Sequence, residues 1–188
     1  MTLWIVLAVA AVVVVYAIVV FNHLVRARQM ANEAWSGIDV QLRRRSELVP
    51  NLVETVKGYA GHERGVLDEV TQLRGAAQAV PQGDVAARAV AEGALSGALG
   101  RLIALSENYP DLKASANFLG LQQQLADLEN ELQMARRYYN GAARNQNVLV
   151  QSFPSNLIAG LFGFAPRDFF ELDDAGARNA PQVNLAPR

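Results

Sequence analysis

Residues 118–149, FLGLQQQLADLENELQMARRYYNGAARNQNVL, place Phe118, Leu121, Leu125, Leu128, Leu132, Ala135, Tyr139 and Ala142 at alternating steps of three and four. That period puts them on one face of an α-helix. With Gln146 and Leu149 in the same phase, the stretch predicts a single helix of about 35 residues, roughly 52 Å long. The same spacing appears upstream in Leu24, Ala31, Trp35, Ile38, Leu42 and Val49. It runs on through Leu52, Val56, Tyr59, Val66, Val70 and Leu73, with Arg28, Arg45 and Glu63 as polar interruptions. Val53, Ala60 and Leu67 widen the stripe beyond a two-stranded coiled-coil seam, which favours a bundle.

Pro50 falls inside this pattern, so either the chain turns there or one long helix kinks and keeps its register. Pro81, Gly83 and Asp84 form a clear linker, with Asp84 as N-cap of a further helix to about Ser106. That helix holds a G-x-x-x-G pair at Gly93 and Gly97, read as close packing within the bundle. Arg88, Glu92 and Arg101 make it a poor membrane span. Asn108, Tyr109 and Pro110 break the chain again. The expected fold is all-α: an antiparallel up-and-down four-helix bundle over residues 23–152, with a long kinked helical hairpin as the alternative.

Before it, residues 3–21, LWIVLAVAAVVVVYAIVVF, carry no charge, Pro or Gly. At 1.5 Å per residue the run extends roughly 28 Å, the thickness of a bilayer's hydrocarbon core. Residues 1–22 are therefore expected to be a single transmembrane helix, with Trp4 and Tyr16 toward the interfaces. A cleaved signal peptide would need basic residues ahead of the run. Arg26 and Arg28 follow it, which places the body in the cytoplasm and the N-terminus outside. After Phe153-Pro154 comes an apolar, aromatic segment, residues 153–172, expected beside the membrane or as a cap on the bundle. Residues 173–188 read as a loosely ordered tail.

With 17 Lys and Arg against 18 Asp and Glu, no basic surplus favours nucleic acid. The absence of cysteine removes thiolate nucleophiles, disulfides and cysteine metal sites. His62-Glu63 lacks the second histidine one turn on that a zinc-protease helix needs, and His23 has no reason to meet it. Gly58, Gly61 and Gly65 lie within a helical period and lack the other parts of a phosphate loop. No metal, cofactor or catalytic residue is expected. Asn51, Asn117 and Gln122 read as buried amides fixing register.

Three blocks carry a resemblance: FNHLVRARQMANEAWSGIDVQLRRRSELVPNLVETVKGYAGHE (21–63), ENYPDLKASANFLGLQQQLADLENELQMARRYYN (107–140), and FPSNLIAGLFGF (153–164) with FFE (169–171). In these residues and their spacing the chain resembles the LemA family of bacterial membrane proteins. The resemblance implies an N-terminal membrane helix, an antiparallel helical bundle and no established catalytic activity. Some relatives are implicated in building internal membranes. One departure is that Arg144 stands before Asn145, where relatives often repeat the Tyr-Asn pair of Tyr139-Asn140.

The expected function is that of a single-pass scaffold or interaction protein in the bacterial membrane. A transmembrane sensor is the alternative, and a metalloenzyme a weaker one. Candidate contacts to the lipid bilayer or to a membrane protein partner are Leu157, Ile158, Leu161, Phe162, Phe164, Phe169 and Phe170. Arg43, Arg44 and Arg45 form a candidate partner-facing basic run. A homo-oligomer is a possible assembly.

Overall fold

The computed structural model describes residues 1–171, so the expected tail over 173–188 lies outside the described residues. Among the described residues all regular structure is helical: α1 (Thr2–Tyr59), α2 (Arg64–Ala79), α3 (Val85–Ser106), the single turn α4 (Pro110–Lys113), α5 (Ala116–Gln151) and the short α6 (Ser155–Leu161). Helix α1 extends about 87 Å without a break. Its first 18 helical residues touch almost nothing. The packed body begins at Val20, where the apolar run ends.

Pro50 neither ends nor starts a helix. Lacking an N–H, it cannot bond the carbonyl one turn back, that of Ser46. A tertiary donor fills the gap: Arg74 Nε, from α2, gives its hydrogen bond to Ser46 O at 2.7 Å, and Gln78 Nε2 bonds Ser46 Oγ at 2.8 Å. The exposed pyrrolidine ring points away from the core.

The chain turns instead at Ala60–Glu63, inside what reads as a continuous helical period. There a Cβ on Gly61 would sit 3.1 Å from the Lys57 carbonyl, so this close approach favours glycine. The helical phase expected through Tyr59 and Val66 is thus interrupted between them.

Helices α1 and α5 run antiparallel along their length. Arg45 lies against Glu129, Trp35 against Tyr139, and Val25 in the same cluster as Leu149. Across the half of this pair away from Phe21 lies the antiparallel α2–α3 hairpin. Its connection is capped as expected, with Asp84 accepting from the Ala87 N–H at 2.9 Å.

The apolar interior falls into three clusters along the long axis. The distal one joins Val49, Leu52 and Val56 of α1 to Leu67 and Val70, Leu95 and Leu102, and Phe118 and Leu125. The middle one joins Ala31, Ile38 and Leu42 to Val85, Leu132, Tyr139 and Phe170. The third, at the Phe21 end, holds Val20, Leu24, Ala159 and Phe164. Four helices share a core only in the distal half. Nearer Phe21, the packing is α1 against α5, covered by the chain that follows α6.

Two expectations about small and polar residues need correction. Gly97 of the G-x-x-x-G pair is exposed, with only the Arg101 side chain near it, so no backbone approaches there. Asn51 and Asn117 are exposed and Gln122 half-buried.

Candidate membrane-facing site

Helix α5 ends at Gln151 with carbonyls that have no intrahelical donor. Ser155 Oγ reaches back to two of them, Leu149 O at 2.7 Å and Ser152 O at 2.9 Å, which starts α6 folded against the end of α5. At its other end, Phe164 N–H bonds Ala159 O at 2.9 Å, and Gly163 adopts a left-handed φ of 67°. This is a Schellman termination, whose hydrophobic contact joins the residue after the glycine to the last helical turn. Phe164 and Ala159 are buried in one cluster accordingly.

That geometry sorts the aromatic segment into two sets. Phe164 is turned inward and receives the Arg28 guanidinium 4.5 Å above its ring. Phe170 is fully buried between Trp35 and the middle core. Ile158 is half-buried against the third cluster. Leu157, Leu161 and Phe162 face outward at 62%, 77% and 55% exposure, with Phe153 at 80% beside them in the chain. Phe169 is partly exposed. The expected bilayer or partner contacts at Phe164 and Phe170 are therefore core contacts, because the glycine turn and the path of the chain face them inward.

Phe162 packs edge-on against Phe21, with ring centroids 4.8 Å apart. With Ala17 and Ile18 they line a shallow apolar notch of about 200 Å³. The exposed face of α6 thereby continues the bare apolar surface of α1 sideways.

From Phe164 the chain runs back along α5, held by side-chain amides. Asn147 Nδ2 donates to Arg167 O at 2.9 Å, and its Oδ1 accepts from Arg167 N–H at 2.7 Å. Asn140 does the same with Phe170, at 3.2 and 2.9 Å. The two amides lie two helical turns apart, about 10.5 Å, which matches about 10 Å for three residues of extended chain.

Beside each amide a second side chain bonds the same strand. Tyr139 OH donates to Asp168 O and Gln146 Nε2 to Ala165 O, both at 2.9 Å. The Tyr139–Asn140 pattern thus recurs as Gln146–Asn147, and not at Arg144–Asn145. Burial raises the Tyr139 pKa above the usual tyrosine value; Arg167 opposes this and Asp168 adds to it.

The basic run divides. Arg43 pairs with Asp39 at 2.6 Å on the surface of α1, and Arg44 approaches Glu131 at 3.6 Å. Arg45 is only 1% exposed and cannot face a partner. Its guanidinium bonds Glu92 Oε2 at 2.5 Å, Glu129 Oε1 at 2.6 Å and Ser96 Oγ at 2.7 Å, while Arg88 holds the other Glu92 oxygen at 2.9 Å. Burial pulls the Arg45 pKa down, but Glu129 and Glu92 outweigh it and hold it above the usual value.

His23 and His62 are exposed at opposite ends of the body. Among the described residues no group of three or more His, Asp or Glu gathers around a common point.

Residues 34–185 match the LemA family. The chain belongs to that family. It is similar to magnetosome protein MamQ of Magnetospirillum gryphiswaldense, at 26% identity over 180 aligned residues covering 83% of this chain and 66% of the relative. Magnetosome protein MamQ 2 of Paramagnetospirillum magneticum matches to the same extent. Protein LemA of Metamycoplasma hominis is 27% identical over 138 residues, covering 73% of this chain and 63% of that relative. The chain spans about two thirds of the length of these relatives. The LemA match begins within α1, past the apolar run, and takes in the α1–α5 pair, the hairpin, α6 and the amide-held strand.

Proposed function

We propose that this LemA-family chain is a bacterial membrane-tethered helical scaffold. In this reading residues 2–19 cross the bilayer, and the exposed face of α6 meets lipid or a partner's membrane helix. The observation that carries it is the common level of two apolar surfaces. Bare helix stops at Val20, and Phe162, exposed beside Phe21, brings α6 with its exposed Leu161 to that end of the body. An apolar patch there is costly in water and suited to an interface.

The names of the MamQ relatives, which are magnetosome proteins, support a role at membranes. The polar groups of the body support a structural rather than a catalytic role. Its buried charges are mutually paired, and its buried tyrosine and amides are engaged with backbone. Arg26 and Arg28, on the body side of the span, support a cytoplasmic body by the positive-inside rule.

The test is a photoreactive side chain at position 161, irradiated in native membranes with the chain intact. It is expected to capture lipid or an integral membrane protein, whereas the same group at Gln82, at the α2–α3 connection, is expected to capture neither lipid nor span. Equal labelling from both positions, or release of the chain by alkaline carbonate, would remove the proposal.

A further inference from the structure

The charges of the body are distributed unevenly along its axis. Residues 1–32 and 138–167 contain none of the 18 acidic residues of the chain, yet they hold Arg26, Arg28, Arg144 and Arg167. The fold brings these two sequence segments together at one end, because α1 leaves the apolar run there and α5 returns to it. Arg26 and Arg28 stand about 8 and 11 Å along α1 beyond Phe21, and Arg144 about 10 Å before the end of α5. None of the three makes an ion pair among the described residues.

The first carboxylate on α1, Glu33, comes about 18 Å beyond Phe21. Glu33 lies about 7.5 Å along the axis past Arg28, and Asp168 lies beside α5 near the level of Arg144; neither pairs with the three arginines among the described residues, and the end nearest Phe21 keeps its positive charge. Farther up, Arg43, Arg44, Arg45, Arg88 and Arg101 have carboxylate partners, and Arg64, Arg74, Arg136 and Arg137, unpaired among the described residues, lie in stretches that also carry acidic residues.

We propose that the Phe21 end of the body is a binding surface for anionic phospholipid headgroups, with Arg26, Arg28 and Arg144 as headgroup contacts and Leu161 and Phe162 as the apolar anchor beside them. The inference rests on the membrane-spanning reading above and adds the class of lipid. Arginine forks suit phosphate oxygens, and their reach brings guanidinium groups set about 10 Å out down into the headgroup layer. Arg28 is further oriented by its stack on the Phe164 ring. The cytoplasmic leaflet, which the membrane-spanning reading assigns to the body, carries a negative surface potential.

The experiment uses the full chain reconstituted in phosphatidylcholine vesicles. Trace phosphatidylglycerol or phosphatidylcholine is added, each bearing the same acyl-chain nitroxide, and the protein-immobilised fraction is read by electron paramagnetic resonance. Phosphatidylglycerol is expected to associate about threefold or more over phosphatidylcholine, with the preference falling toward unity at high salt.

The R26Q/R28Q/R144Q variant should lose the preference, and the R26K/R28K/R144K variant should keep most of it with an unchanged circular dichroism spectrum. Equal association of the two lipids with the wild-type chain overturns the inference, as does a preference that survives the glutamine variant. A chain that alkaline carbonate strips from the vesicles overturns the spanning reading and this inference with it. One that resists carbonate but shows no preference overturns the inference alone.

Discussion

Arg74 Nε donates to the Ser46 carbonyl at 2.7 Å, in the place that the missing N–H of Pro50 would have taken. A proline inside a helix costs stability through a lost bond and a steric clash; here the α2 helix supplies the lost bond. Arg74→Ala should cost about 1–3 kcal/mol, because it leaves a shielded carbonyl unpaired. In a Pro50→Ala background the restored N–H serves Ser46, and the same Arg74→Ala change should cost less. Urea unfolding of the four chains in mild detergent gives the coupling. Strict additivity would show that the two sites are independent.

The Arg45 cluster predicts an asymmetry between breaking and replacing a buried ion pair. Arg45→Met alone leaves the buried Glu92 with Arg88 as its one partner and takes the partner from Glu129, and should cost about 3–5 kcal/mol. Arg45→Met with Glu92→Met should recover much of that loss. A single variant as stable as the parent would mean that Arg88 alone satisfies Glu92.

Loss of the strand's amide clamps should loosen one segment without melting the helices. Asn147→Ala removes two hydrogen bonds to Arg167, and Asn140→Ala two to Phe170. Each should cost about 1–2 kcal/mol. Proteolysis near residues 165–171 should quicken while the far-UV spectrum keeps its helical form. Unchanged cleavage in the double variant would count against the clamp.

Stability should fall at alkaline pH with Tyr139 as one cause. Its folded-state pKa is raised by burial, so the unfolded chain ionises first, near pH 10. The contribution is fully present below that pH and is lost as pH rises through the folded value. Tyr139→Phe should flatten the alkaline limb measured by urea titration between pH 8 and about 11. An unaltered slope would exclude Tyr139 as a source.

Orientation can be tested directly, because the chain has no native cysteine. With Thr2→Cys and Gln82→Cys, a membrane-impermeant maleimide applied to intact cells should label the first and spare the second. Labelling of position 82 alone would invert the topology.

Much of the helical plan was legible in the sequence, because a three-and-four period records the buried face of a helix wherever packing is regular. Leu24, Ala31, Ile38, Leu42 and Val49 are buried as that period predicts. The period could not say where α1 ends. Pro50 allowed either a turn or a kinked continuous helix, and a donor from α2 makes the continuous helix tolerable. The real turn at Ala60–Glu63 keeps apolar residues in phase on both sides.

Arg45 stood at an apolar-stripe position, which is the mark of a buried charge. Its two arginine neighbours suggested a surface run instead. The aromatic segment looked uniform because composition does not record the glycine turn that turns Phe164 inward and leaves Phe162 out. The clamping role of Asn140 and Asn147 has no local sequence signal, since their partners are backbone groups some 20 to 30 residues later.

An unbroken α1 also sets a dimension. With residues 2–19 in the bilayer, the same rigid rod rises from Phe21 to Tyr59, about 57 Å, with no joint on which the body could swivel. The far end, where α1 turns into α2, is thus held at a set standoff from the lipid, as the head of a gauge post is. Anything docked there would be spaced from the membrane by the length of a helix, and tilting the span would sweep that end sideways through the largest arc the molecule can make.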